Sequence, residues 1–290
     1  MKKRSLLFLM LLLPVLLSAQ SNNNFASEKS ITTGRTTERE VQDYFPKPRN
    51  GRVYVIAHRG AHVGIPENSI PAVQKAIDLG CDFVEIDTRM TKDGHIVSVH
   101  NSSVDEYVVG TKGKVSDFTL EEIKKLDIGE KTGAEWKNTR IPTVEEIMKV
   151  CQGKIGIYLD LKEPLVPELL QLIRKYDMEQ DIIWYIPASS MEIIKQLISL
   201  CPQCMPMPDP GPEKNIQEVV FQVHPKVLAS DCRQLSESFV KSAHSSHARV
   251  FVDEDKGTPA EWEQMIQWGT DGIQTDNPAA LLEFLKSKNE

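Results

Sequence analysis

The chain has 290 residues, of which 40% are hydrophobic and 26% are charged, and its formal net charge is −7. This length and hydrophobic content suffice for one large domain with a sizeable core and do not require two domains. An acidic chain without a basic stripe is a poor candidate for binding nucleic acid, so we expect no such partner. A bound anion would need local cations, from a metal ion or from Arg and Lys side chains.

The first 19 residues have the pattern of a secretory signal peptide. Basic residues at positions 2–4 precede an apolar run over residues 6–17, and Ser18 and Ala19 follow. The run is short for a bilayer span, which needs about 20 apolar residues, so a membrane anchor is the weaker alternative. The pattern predicts cleavage after Ala19, export to the periplasm or the medium, and no membrane span in the mature chain. Cleavage would remove three positive charges and no acids, taking the formal charge from −7 to about −10.

Residues 20–50 are polar and rich in Ser, Thr and Asn. Such a segment has too few apolar side chains to form a core. It predicts a polar N-terminal arm, followed by one domain over residues 51–290.

From residue 53 onward, strand-like and helix-like segments alternate. Residues 53–57 form an apolar run typical of a strand buried on both faces, and residues 69–80 follow at helical spacing with Asn68 as the expected N-cap. Residues 82–87 predict a second strand, and residues 95–100 predict an extra strand that returns after a tight turn.

Residues 101–142 interrupt the alternation, because they are polar and Gly-rich apart from one helical piece at 120–126. An insertion just after a barrel strand is expected to lie over the mouth of the barrel. Further strands are predicted at 155–161, 182–186, 204–207, 226–229, 249–252 and 272–275, each preceded or followed by a helical segment. The eight strand–helix units predict an α/β fold, a (β/α)8 TIM barrel with a small insertion after the second strand. A doubly wound open sheet is the alternative.

Three carboxylates stand near the ends of predicted strands. Glu85 and Asp87 lie two apart on one strand, so their side chains share a face, and Asp160 ends the next strand. Like charges at a buried strand end repel one another unless a cation lies between them. Carboxylate oxygens suit Ca²⁺ or Mg²⁺, and the set contains no thiolate or His pair for zinc. We therefore predict that Glu85, Asp87 and Asp160 bind a divalent metal ion.

Two histidines, His58 and His100, end strands that flank these carboxylates. One imidazole can accept a proton while the other donates one, as phosphoester cleavage requires. Arg59 adds a permanent cation whose planar fork matches phosphate oxygens, and Lys162 adds a second cation. A metal-dependent amidohydrolase would need a His-x-His pair after the first strand, and His58-Arg59 does not provide it.

The chain has five cysteines, and an odd number leaves at least one thiol outside any internal disulfide. Cys201 and Cys204 form a C-x-x-C pair. A local disulfide or two plain thiols explains this pair better than a redox site or half of a zinc site.

Taken together, these residues resemble the glycerophosphodiester phosphodiesterases over roughly residues 53–287, most strongly up to about residue 162. The first motif is highly specific as a combination, although each piece of it is weak alone. The matching segments are His58-Arg59-Gly60, Pro66-Glu67-Asn68, Glu85-x-Asp87, Thr91-Lys92-Asp93-Gly94, His100, Val115-Ser116-Asp117, Ile141 to Glu146, and Asp271-Gly272-Ile273-x-Thr275-Asp276-x-Pro278.

The resemblance implies a TIM barrel with a small insertion and hydrolysis of a small-molecule glycerophosphodiester to sn-glycerol 3-phosphate and an alcohol. It also implies residue roles: general acid/base for His58 and His100, phosphate contact for Arg59, metal ligation for Glu85 and Asp87, and a basic site group for Lys162.

Three positions depart from the family pattern. Asp160 stands where Glu is usual, Asn101 follows His100 where Asp is usual, and Asp253 stands near the usual Asn on a strand that lacks the usual Trp. These departures keep two alternatives open. One is a related phosphodiesterase with an inositol- or sphingolipid-type head group, and the other is a non-catalytic barrel that binds phosphorylated glycans or lipids.

Overall fold

The structure is a computed structural model that describes residues 45–254 and 257–288. The predicted signal peptide, residues 1–19, lies outside the described residues, and so do residues 20–44 of the predicted arm. Among the described residues, none of the helices has the length and the apolar composition needed to cross a membrane.

Eight parallel strands form a nearly closed barrel, which confirms the predicted (β/α)8 fold. In chain order the strands are β1 (Tyr54–Ala57), β2 (Phe83–Met90), β3 (Ile96–Ser98), β4 (Gly156–Asp160), β5 (Ile182–Pro187), β6 (Met205–Asp209), β7 (Val227–Asp231), β8 (Arg249–Asp253) and β9 (Gly272–Thr275). The hydrogen-bonded order around the barrel is β6-β5-β4-β2-β1-β9-β8-β7, and β6 lies beside β7 to complete the circle. The remaining strand, β3, pairs antiparallel with β2 outside this order.

The helices surround the barrel and bury the outward-facing side chains of the strands, because apolar residues recur on one face of each helix. Side chains alternate along each strand, so every second residue points into the barrel. The helices around the barrel are α1 (Ile70–Leu79), α3 (Val144–Cys151), α4 (Val166–Lys175), α5 (Met191–Leu200), α6 (Ile216–Val223), α7 (Glu237–Ser245), α8 (Pro259–Trp268) and α9 (Pro278–Ser287). A further short helix, α2 (Leu120–Ile123), lies in the insertion.

Aromatic rings close the amino-terminal end of the barrel, which we call the floor. Phe251 lies at the centre of this cluster, with ring centroids 5.4 Å from Tyr54, 6.0 Å from Phe45 and 6.1 Å from Phe83. Gly272 leaves room for these rings, because a Cβ there would overlap the ring of Phe251. Phe45 belongs to the predicted arm, so the end of that segment packs against the barrel.

The prediction that Asn68 caps α1 is wrong. Ser69 caps the helix instead, since its hydroxyl accepts a hydrogen bond from the Ala72 N–H at 3.3 Å and its backbone is extended. Asn68 has a φ of +51°, in the left-handed region, and its side chain points away from the helix towards β2. A left-handed residue cannot serve as the extended N-cap.

The insertion between β3 and α3 has a small apolar core of its own. Val104, Val108, Val115, Ile123 and Ile128 are buried in it. The Trp136 indole N–H donates to the Gly64 carbonyl at 2.7 Å. This bond attaches the insertion to the loop between β1 and α1, beside the carboxyl ends of the strands.

The C-x-x-C pair forms a disulfide, one of the readings that the sequence left open. Cys201 and Cys204 link the end of α5 to the start of β6. Both are buried, so the bridge lies in the protein interior between those two elements.

Candidate active site

The carboxylates predicted to bind a metal lie together at the carboxyl-terminal end of the barrel, which we call the mouth. Asp87 on β2 pairs in register with Asp160 on β4, and Glu85 precedes Asp87 on the same inward face. One oxygen from each of the three carboxylates lies within 4.8 Å of the others. Glu85 and Asp87 are buried, with exposed fractions of 2% and 1%.

This cluster carries electrostatic strain. Burial and the charges of Asp87 and Asp160 raise the pKa of Glu85 well above its usual value, although His58 partly opposes them. Burial also raises the pKa of Asp160, and the neighbouring Lys162 lowers it only in part. A cation between the carboxylates would relieve this repulsion.

The donor set fits a hard divalent ion. Asp87 Oδ1 is buried, and its charged neighbour is the ammonium group of Lys162, 3.1 Å away. Carboxylate oxygens are the ligands that Ca²⁺ and Mg²⁺ prefer. Glu85, Asp87 and Asp160 are the residues that would hold such an ion.

Two cations border the cluster, as predicted from the sequence. The Arg59 guanidinium donates to Glu67 at 3.2 Å and its Nε lies 3.8 Å from Asp87, while the Arg59 backbone N–H donates to Glu85 at 2.6 Å. Lys162 Nζ lies 2.5 Å from Asp160 Oδ2. Both cations are one-fifth exposed, so each can also reach an anion that enters the mouth.

His58 lies on one side of the cluster. Its Nδ1 is 2.7 Å from Asp276 Oδ1, and its Nε2 is 4.0 Å from Glu85 Oε2. Burial alone would lower the pKa of His58, but the hydrogen bond with Asp276 and the charges of Glu85 and Asp253 outweigh burial and raise it to about 9. With Nδ1 held by Asp276, Nε2 is the nitrogen that faces the site.

His100 lies in the connection between β3 and the insertion. Its Nδ1 is 2.9 Å from Asn101 Oδ1, and its charge lowers the pKa of Asp160. The Arg89 guanidinium donates to the His100 carbonyl at 2.9 Å and 2.6 Å. His58 therefore lies beside Glu85, and His100 lies within electrostatic range of Asp160.

Several site residues were not predicted by sequence reasoning. Asp276 and His62 meet at the ring of His58, with 3.6 Å between His62 Nε2 and Asp276 Oδ1. The Asn68 amide donates to Asp87, and the Ser98 hydroxyl donates to the Asn68 amide oxygen. The available signal was the position of Asp276 directly after the last strand, since polar groups at that end of a barrel strand point to the site.

A groove of about 330 Å³ lies between the β1–α1 loop and the insertion. Arg59 and Glu67 line it on one side, and Asn101, Tyr107 and Lys131 on the other. Asn101, which lines the groove, also contacts the ring of His100 at 2.9 Å.

Comparison with known proteins agrees with this geometry. The sequence model of the glycerophosphoryl diester phosphodiesterase family matches residues 58–188. A glycerophosphodiester phosphodiesterase of Caldanaerobacter subterraneus subsp. tengcongensis is 32% identical over 251 residues, which is 81% of this chain and 98% of the relative.

Solved structures share the fold. A phosphodiesterase of Oleispira antarctica in complex with the product sn-glycerol-3-phosphate is 21% identical, with a TM-score of 0.74 over 81% of this chain and 97% of that one. A glycerophosphodiester phosphodiesterase of Agrobacterium tumefaciens is 22% identical, with a TM-score of 0.72 over 80% of this chain and 99% of that one.

Proposed function

The chain belongs to the glycerophosphoryl diester phosphodiesterase family of hydrolases, and we propose that it uses a divalent metal ion to hydrolyse glycerophosphodiesters to sn-glycerol 3-phosphate and an alcohol. The observation that carries the proposal is the carboxylate cluster of Glu85, Asp87 and Asp160, with His58 beside Glu85 and His100 within electrostatic range of Asp160. The product bound to the Oleispira antarctica protein supports the substrate class.

The cations bordering the cluster would bind the phosphodiester. The planar fork of Arg59 suits two phosphoryl oxygens, and Lys162 offers a point charge beside them. A metal ion held by Glu85, Asp87 and Asp160 would act as a Lewis acid on the phosphoryl group. These positive charges would stabilise the negative charge that grows on phosphorus-bound oxygens in the transition state.

The two histidines would move the protons. In cleavage of a phosphodiester, one group takes a proton from the attacking hydroxyl and another gives one to the departing alcohol. His58 lies 4.0 Å from Glu85 and His100 lies within electrostatic range of Asp160, so two separate imidazoles are available for the two tasks. Asp276 would act by holding the His58 ring with Nε2 towards the substrate.

The experiment is a metal-depletion assay on purified protein. Release of glycerol 3-phosphate from glycerophosphocholine should stop in EDTA and return on addition of Ca²⁺ or Mg²⁺, and the restoring ion identifies the metal. Glu85→Gln should remain inactive at every metal concentration. Glu168→Gln, an exposed residue on α4, is the matched control and should behave like the unsubstituted protein. Full activity after metal removal would refute the metal role.

A different head group is the second candidate. It is favoured by the groove between the β1–α1 loop and the insertion, because residues of the insertion form one of its walls. Among them, Asn101 contacts His100 and donates to Glu106 at 2.8 Å. A panel of glycerophosphocholine, glycerophosphoinositol and sphingomyelin separates the two. A kcat/KM highest for sphingomyelin, with no release of glycerol 3-phosphate, would replace the first candidate.

We also propose that the enzyme acts after export, in the periplasm or outside the cell. The support is the basic and apolar pattern of residues 1–19. The mass of the protein recovered from a producing cell tests it, because cleavage after Ala19 leaves a chain that starts at residue 20. A full-length chain in the cytoplasm would contradict export.

A further inference from the structure

Asn68 bridges the loop after β1 to a carboxylate of the cluster. Its Nδ2 donates to Asp87 Oδ2 at 2.7 Å, and its Oδ1 accepts from the Ser98 hydroxyl at 2.6 Å and from the Asp87 backbone N–H at 3.3 Å. Asn68, Ser98 and Asp87 are all at least 97% buried. The three side chains thus form a continuous chain of hydrogen bonds. The Ser98 hydroxyl donates to the Asn68 amide, and that amide donates to the Asp87 carboxylate.

The direction of this chain is determined by its partners. The backbone N–H of Asp87 can only donate and its carboxylate can only accept. The amide of Asn68 must therefore present its oxygen to the N–H and its nitrogen to the carboxylate. The Ser98 hydroxyl then has an acceptor at Asn68 Oδ1, so the rotation of the amide is restricted from both ends.

This arrangement divides the two oxygens of Asp87 between different tasks. Oδ2 accepts a hydrogen bond from the amide of Asn68, while Oδ1 lies in the cluster, 3.1 Å from Lys162 Nζ. A carboxylate held through one oxygen keeps the other oriented towards a bound ion. Groups that hold a metal ligand in this way commonly change metal affinity by about 10–100-fold when they are removed.

The backbone of Asn68 indicates that the arrangement is maintained at a cost. A φ of +51° is uncommon for a residue other than glycine, although Asn tolerates it better than most. The Asn68 backbone N–H donates to the Arg59 carbonyl at 2.8 Å, so the same residue also links the two loop segments around the phosphate-binding Arg59. Ser98 lies on β3, two residues before His100.

We propose that Asn68 and Ser98 are positioning residues that orient Asp87 for metal binding. This inference rests on the proposed metal dependence. It adds a role for the short strand β3, because Ser98 on this strand orients the metal ligand Asp87 through Asn68 and His100 follows two residues later. The β2–β3 hairpin therefore contributes to the metal site and to the proposed proton transfer.

Metal affinity measured by calorimetry with Ca²⁺ and with Mg²⁺ tests the proposal. Asn68→Gly removes the amide but suits the left-handed backbone, so the fold should tolerate it. We expect a loss of affinity of about 10-fold or more for Asn68→Gly. Ser98→Ala removes one hydrogen bond, and we expect it to weaken metal affinity roughly 5-fold, which corresponds to about 1 kcal/mol. The double variant should bind no more weakly than Asn68→Gly, because both substitutions break one chain of bonds.

Ser230→Ala is the matched control. Ser230 is a buried serine on β7 whose hydroxyl donates to the Asp231 carbonyl, away from the cluster. It should leave metal affinity within about 2-fold, and melting curves in EDTA should show all variants folded. If Asn68→Gly and Ser98→Ala both bind the metal ion as tightly as the unsubstituted protein does, the inference is overturned. If the unsubstituted protein binds neither ion and works without one, the proposed function fails instead.

Discussion

The two ends of the barrel are built from the same strands but have opposite compositions. On β2 the inward residues run from Phe83 at the floor to Glu85 and Asp87 at the mouth, and on β8 they run from Phe251 to Asp253. The floor is closed by rings in contact, whereas the mouth gathers carboxylates, cations and imidazoles. Inward side chains only two or four residues apart on one strand therefore belong either to the apolar floor or to the polar site at the mouth.

We infer that the floor mainly stabilises the fold and that the mouth mainly serves activity. Burial of large apolar side chains at the floor stabilises the fold by about 1.5–3 kcal/mol for each residue. The mouth instead holds a buried carboxylate, Glu85, whose pKa is raised by burial and by Asp87. Substitutions at the floor should therefore change stability, and substitutions at the mouth should mainly change activity.

The largest effect on stability is expected for Phe251→Ala at the floor. Removing this ring from contact with three other aromatic rings should lower the free energy of unfolding by about 3–5 kcal/mol. The kcat of the folded variant should stay close to the unsubstituted value. The measurement is urea denaturation alongside the phosphodiesterase assay. Phe221→Ala is the control, because that ring is 78% exposed and should matter little. If Phe251→Ala and Phe221→Ala lower the free energy of unfolding equally, the aromatic floor has no special importance for stability.

At the mouth, His100→Ala should reduce kcat by about 100-fold or more, because a proton-transfer group is lost. The free energy of unfolding should change little, since the ring is partly exposed. His95→Ala serves as the control, as it removes an exposed imidazole from the same hairpin. Near-full activity of His100→Ala would exclude His100 from catalysis.

Asp276→Asn should lower the pKa of His58 from about 9 towards 6.5, because the charge and the acceptor that hold the protonated ring are lost. NMR titration of the imidazole without metal measures this directly. The matched control is Glu168→Gln, an exposed residue on α4, which should leave the pKa of His58 at about 9. A His58 pKa that stays near 9 would mean that Glu85 and Asp253 suffice to raise it.

The smallest effect is expected for Glu85→Gln on the metal-free protein, and it should increase stability. The pKa of Glu85 is raised in the folded state, so its carboxyl binds more protons there than in the unfolded chain. Its contribution therefore becomes less favourable as the pH rises above about 4.5. A gain of about 1 kcal/mol would raise Tm by roughly 2–4 °C. Melting curves in EDTA from pH 5 to 8 test the sign, and a lower Tm would show that the contacts of Glu85 with His58 and Arg59 dominate.

Much of the fold and the cluster could be read from the chain because the signals are local. Strand alternation, the apolar run before His58 and the spacing of Glu85 and Asp87 depend on neighbours a few residues away. Asn68 shows the limit of such reasoning. Asn before a helix favours an N-cap, but the left-handed backbone at Asn68 gives that place to Ser69 and turns the amide towards Asp87.

The sequence alone determined the strand–helix order, the kinds of groups at the strand ends and the family. Only the tertiary structure decided which atoms meet: Asp276 reaches His58 across 218 positions of sequence, and Ser98 reaches Asp87 through Asn68. The physical reason is that short-range spacing specifies each strand and its faces, whereas contacts between strand ends exist only once the barrel closes and brings the first and last strands together.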